Sequence, residues 1–99
     1  MPIHLPDALP PQLAALARDA DASRLVLFGS RARGDDRGRS DIDLAVFGLD
    51  AAQAGRLRLA LEELPTLLEF DLVCVDANTS PKLLDNIERE GVTLYASEM

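Results

Sequence analysis

Four short apolar runs of strand length, Arg24 to Phe28, Asp41 to Phe47, Glu69 to Val75 and Val92 to Tyr95, punctuate a chain of 99 residues, and segments with helical spacing lie around them. A strand carries unpaired backbone donors and acceptors along both edges and needs at least one face covered, so such runs join into a sheet with helices packed upon it. The connection from Phe28 to Asp41 is short, which allows the first two strands to lie antiparallel in a mixed sheet. The expected class is therefore α+β, a small mixed β-sheet with helices packed on it. A chain of this length buries roughly two thirds of its unfolded surface, enough for one core, so residues 1–99 are expected to form a single domain with 1–9 as a loosely ordered start.

The helical segments carry their own punctuation. Pro10 and Pro11 suit a first turn, and Leu13, Leu16, Ala17 and Ala20 follow at helical spacing to near Asp21. Ser30 to Ser40 holds two glycines and many charges, which predicts a turn of helix followed by an exposed loop. Asp50 is a plausible cap for a helix with Leu57, Leu61, Leu64 and Leu68 along one side, with Pro65 marking a break. Ser80 and Pro81 form a cap and first turn for a last helix bearing Leu83, Leu84 and Ile87, which Gly91 closes.

The chemistry gathers at strand ends. Gly29-Ser30 directly follows the first apolar run, Asp41-Ile42-Asp43 comes shortly after it, and Phe70-Asp71-Leu72 lies within the third. Residues two apart on a strand share a face with backbones roughly 6.6 Å apart, so Asp41 and Asp43 can aim at one pocket, with Asp71 supplying a third carboxylate. Carboxylates brought so close repel unless a cation lies between them, and hard oxygen donors select Mg²⁺ or Mn²⁺. Because Mg²⁺ commonly completes its octahedron with water and substrate phosphates, a nucleoside triphosphate is the natural companion. In a two-ion arrangement one ion activates the attacking oxygen and the other holds the leaving pyrophosphate. Gly29 permits close backbone approach, Ser30 offers a hydroxyl and an N–H to phosphate oxygens, and Arg31 and Arg33 are candidates to add positive charge.

This arrangement, LVLFGSRARGDDRGRSDIDLAVF followed by EFDLV, resembles the DNA polymerase beta-like nucleotidyltransferases, specifically the minimal nucleotidyltransferases. The resemblance extends to the SPKLLDNIEREGVTLY ending, which is similar to that of the antitoxins in MntA/HepT-type systems. It implies a triphosphate-holding pair at Gly29 and Ser30, metal ligands at Asp41 and Asp43, and a third carboxylate at Asp71. It further implies ATP as substrate, two Mg²⁺ ions, and a HEPN-type ribonuclease toxin as partner, silenced by transfer of AMP to a tyrosine. Two other functions are weighed beside it: an antitoxin acting by contact alone, and nucleotidyl transfer to a small molecule or RNA. The full carboxylate set favours an enzyme over a pure binder, and the lack of a further substrate domain favours a protein acceptor.

Composition bounds the alternatives. The net charge of −7 disfavours direct nucleic-acid binding, since affinity for a polyanion rests on Lys and Arg, although Arg31, Arg33, Arg37 and Arg39 crowd one segment where a local anion site can exist. No run approaches the roughly 20 apolar residues that cross a bilayer, and residues 1–9 lack a leader pattern, so a soluble cytoplasmic protein is expected. Cys74 lies in an apolar run and reads as a small buried hydrophobe. Asp35, Asp36 and Asp76 read as turn residues, Glu62 and Glu63 as a solvated helix face, and His4 as non-catalytic.

Overall fold

A computed structural model describes residues 5–34 and 41–97. The expectations for His4, Asp35, Asp36, Arg37 and Arg39, and for the loop leading to Ser40, fall outside the described residues. In chain order the elements are α1 (Leu9–Asp19), β1 (Arg24–Phe28), α2 (Ser30–Arg33), β2 (Ile42–Phe47), α3 (Ala51–Glu62), β3 (Phe70–Val75), α4 (Pro81–Glu90) and β4 (Val92–Ala96). The strands form one sheet in the order β3-β2-β1-β4, and the fold is α+β. β1 pairs antiparallel with both β2 and β4, whereas β2 and β3 run parallel, joined across α3 as a parallel pair requires.

Alternation along the strands sorts side chains onto two faces. Leu25, Leu27, Ile42, Leu44, Val46 and Leu72 pack with α1 and α3 into the larger core. Val26, Ala45, Phe28, Phe47 and Val75 lie on the other face, covered by Ile87 and Leu83 of α4. Ile87 is the residue of α4 that the fold buries fully; on the same helix Glu88 meets Arg24 at 2.5 Å, and the Arg24 guanidinium lies 4.1 Å from the centre of the Phe47 ring.

Several boundaries differ from expectation for local reasons. Leu9, assigned on sequence to the loose start, begins α1 and is buried, while Leu5 packs against the same core. Pro10 and Pro11 follow Leu9 in the first turn, at N2 and N3, where a missing N–H is not needed because the first-turn donors have no partner within the helix. α3 stops at Glu62 ahead of Pro65, so Leu64 and Leu68 reach the core from the following segment rather than from the helix. Gly91 ends α4 in an extended conformation, φ −73°, not a left-handed one. A Cβ there would collide with the Ile87 carbonyl and the Val26 side chain, so close approach explains the glycine.

α3 has a reciprocal cap: the Gln53 N–H donates to Asp50 Oδ1 at 2.8 Å and the Asp50 N–H donates to Gln53 Oε1 at 2.8 Å. Asp50→Ala leaves the Gln53 N–H without its cap acceptor and is expected to destabilise the fold by about 1 kcal/mol, read as a lower urea midpoint at unchanged slope.

Candidate functional site

The site is built at the end of the sheet where β1 finishes and β2, β3 and β4 begin. Parallel register sets Asp43 of β2 directly beside Asp71 of β3, and antiparallel register sets it opposite Phe28 of β1. Asp43 shares its strand parity with Ala45 and Phe47, so both aspartates lie on the α4 face, away from the larger core. Asp41 stands one residue ahead of β2 and is exposed, at a point tied to the sheet by the Ile42 N–H donating to the Glu69 carbonyl at 2.8 Å.

Gly29 turns the chain from β1 into α2 with φ 77° and ψ −157°, a region open essentially to glycine alone. A Cβ at that position would strike the Asp43 carboxylate, so the backbone corner and the acid occupy adjoining space. α2 is closed on both sides by glycines in left-handed φ, with the Gly34 N–H donating to the Ser30 carbonyl at 2.8 Å. Ser30, partly exposed, is thereby held next to the acids.

The two arginines of α2 part company. Arg31 is only 5% exposed and is not without a partner. Arg33 is far more open, and its Nη1 meets Glu90 Oε2 of α4 at 2.7 Å. Nothing local in the sequence marks Glu90, because the two residues are 57 positions apart and only the packing of α4 over β1 brings them together.

Burial pushes the Asp43 carboxyl above its ordinary value of 3.8, the negative charges of Asp71 and then Asp41 push it further, and Arg33 opposes them. Two of the aspartates named from sequence, Asp71 and Asp41, thus act electrostatically on the third, Asp43. They do not stand as a ready-made cage: among the described residues no group of three or more Asp, Glu, His or Cys side chains is arranged to hold a metal ion. Like charges do not draw together on their own, and a pair of hard oxygen donors at adjacent register with mutual repulsion is a set that a divalent cation suits. Gly29, by presenting no Cβ toward Asp43, lets the carboxylate lie directly against the backbone of the corner.

Cys74 is partly rather than fully buried, and Arg58 of α3 donates from Nη2 to its Sγ at 3.6 Å and from Nη1 to the Leu72 carbonyl at 3.2 Å. Asp76 makes the turn expected of it, accepting from the Asn78 N–H at 2.7 Å, and Glu62 and Glu63 are exposed. Among the described residues no helix is long and apolar enough to cross a membrane.

Comparison with known proteins bears on this geometry. The family described as Polymerase beta, Nucleotidyltransferase matches residues 13–99. A solved structure described as a minimal nucleotidyltransferase is 34% identical, with 86% of this chain and 88% of that one covered and a TM-score of 0.70. A toxin–antitoxin structure with AMP-PNP is 26% identical over 90% of this chain and 74% of that one, TM-score 0.73. At the level of fold alone, the chain is also similar to a complex of the MNT antitoxin with the tri-AMPylated HEPN toxin of Shewanella oneidensis, 24% identical, 90% and 71% covered, TM-score 0.64. No curated protein matches significantly.

Proposed function

Since the chain belongs to the polymerase beta nucleotidyltransferase family, we propose that it transfers AMP from ATP to a tyrosine hydroxyl of a cognate HEPN-type toxin and so serves as the antitoxin. The observation that carries this reading is the Gly29-Ser30 corner set directly against Asp43, which is paired in register with Asp71. The 26% identical toxin–antitoxin structure with AMP-PNP supports both the nucleotide and the class of partner.

In this reading a bond forms between the tyrosine oxygen and the α-phosphorus of ATP, the α–β phosphoanhydride bond breaks, and pyrophosphate leaves. Asp41 and Asp43 would hold two Mg²⁺ ions, with Asp71 completing the site on the attacking side. When bound, Mg²⁺ neutralises the charge carried by the phosphates and lowers the pKa of the attacking oxygen. Asp71, exposed at the edge strand, accepts the hydroxyl proton as the acceptor approaches. Ser30 donates its hydroxyl and N–H to the triphosphate, Arg33 adds positive charge, and Arg31 braces the corner from within. The fixed backbone of the corner orients the leaving group before the reaction starts, the part of catalysis that positioning supplies.

The test is to mix the purified chain with ATP, Mg²⁺ and the product of its neighbouring gene, and then to weigh that product by mass spectrometry. A gain of one or more AMP units, absent when Asp41→Asn and Asp43→Asn are combined, is the expected result. A partner that is inhibited yet unmodified overturns the transfer reading in favour of an antitoxin acting by contact alone.

A further inference from the structure

Arg33 and Glu90 form an ion pair for which the fold has no structural need. Both side chains are partly in water, 42% and 29% exposed, and an exposed pair adds little to stability because solvent screens it and two long side chains must be held still. Its position is the informative feature. Arg33 is the last residue of α2, the single turn that begins at Ser30 and is hinged by glycines at both ends. Glu90 is the last residue of α4, immediately before Gly91 and the start of β4, whose Val92 is paired with Leu27 beside the site. The pair therefore ties the side chain of the site turn to the helix that covers the same sheet face. Arg33 also lies within electrostatic reach of Asp43, opposing the charges of the neighbouring acids there.

We propose that Glu90 is a positioning residue for Arg33: by accepting from Nη1 at 2.7 Å it holds the guanidinium at the Gly29-Ser30 corner, oriented toward an incoming triphosphate. The inference rests on the nucleotidyltransferase reading above and adds to it a residue outside the motif. The physical reason is preorganisation. A free arginine side chain loses rotamer freedom when it closes on a phosphate, and a carboxylate that has already restrained it removes part of that loss from the binding step. The guanidinium is a rigid planar fork, so an acceptor fixed on Nη1 sets the orientation of the whole group. Glu90 contacts no substrate and takes no proton; its influence passes through Arg33.

The opposite behaviour is equally definite. If the carboxylate served only to compete with phosphate for Arg33, its removal would tighten nucleotide binding. Calorimetric titration with Mg²⁺ and non-hydrolysable AMP-PNP separates the two. Glu90→Ala is expected to weaken binding by about fivefold, the scale of losing one charge-assisted hydrogen bond in part, and Glu90→Gln, whose amide oxygen still accepts, by about twofold. In an Arg33→Ala background Glu90→Ala should change nothing further, since the two act as one unit. In the transfer reaction KM for ATP rises by a similar factor while kcat stays within about twofold, the pattern of lost ground-state binding. The thermal midpoint of each variant stays within about 2 °C of wild type, as an exposed pair dictates.

Equal or tighter binding by Glu90→Ala overturns the positioning role, as does the same weakening in the Arg33→Ala background. If the wild-type chain fails to bind Mg²⁺ and AMP-PNP at all, the nucleotidyltransferase reading itself falls, and the inference with it; if wild type binds and Glu90→Ala binds alike, only the inference falls.

Discussion

Asp43→Asn is expected to remove AMP transfer, by at least about 10²- to 10³-fold, and at the same time to raise the thermal midpoint of the metal-free chain. The two effects have one cause. Asp43 sits partly buried beside Asp71 and within reach of Asp41, and both the burial and the like charges oppose its ionisation. Its folded pKa is therefore raised, so between the unfolded value and the folded one the native chain holds a proton that the unfolded chain has lost. Stability accordingly falls as pH rises through that window, from about 3.8 upward, and the penalty is fully present above the folded value. Asparagine keeps nearly the same shape without the charge, so the variant lacks this acid-side slope. Added Mg²⁺ and AMP-PNP should reverse the order, because a ligand at 100 times its Kd stabilises the wild type by about 2.7 kcal/mol, while in the proposed reading the variant lacks a carboxylate oxygen that would hold the ion. Thermal melts from pH 3 to pH 8, with and without Mg²⁺ and nucleotide, check the crossing. A metal-free variant less stable than wild type at neutral pH would contradict the electrostatic account.

The second large effect belongs to the backbone. Gly29→Ala is expected to destabilise the chain by roughly 2–4 kcal/mol, combining the strain of a side chain at φ 77°, ψ −157° with displacement of the Asp43 carboxylate. For a chain of this size that lowers the thermal midpoint by roughly 10 °C or more. Melting, followed by titration of Mg²⁺ and AMP-PNP at a temperature where the variant remains folded, separates stability from function. Nucleotide binding should still be lost there, because the methyl occupies the space where corner and acid adjoin. Gly91→Ala serves as the comparison: its Cβ also meets close neighbours, but on the α4 side at Ile87 and Val26, so it should lower stability with a smaller effect on nucleotide affinity in the folded variant.

Much of the framework was visible along the chain because its determinants are local. The four apolar runs became the four strands, since β-branched and aromatic side chains between turn residues need no distant information to favour extension. Asp50 and the Ser80-Pro81 pair announced their helices through caps that close within four residues. The boundary errors are also local competitions: Pro65 and the segment after α3 let Leu64 and Leu68 pack without being helical, although their spacing continued the helical period.

The candidate site divides along the same line. Gly29-Ser30 and the Asp41, Asp43 spacing are short-range facts that the residues state by themselves, as is the resemblance they carry. That Asp71 would stand beside Asp43 required the parallel register of β2 and β3, which no window of either strand contains. Arg31 and Arg33 are indistinguishable as letters two apart in a charged segment; burial under the fold made one internal and left the other to meet Glu90 across 57 positions. The sequence by itself determined the elements, their caps and the residue types gathered at the turn, because propensity and hydrogen-bond closure act within a few residues. Tertiary structure alone decided strand register, the burial of each arginine and the charge felt by Asp43, because these depend on which distant surfaces come into contact and how much water they exclude.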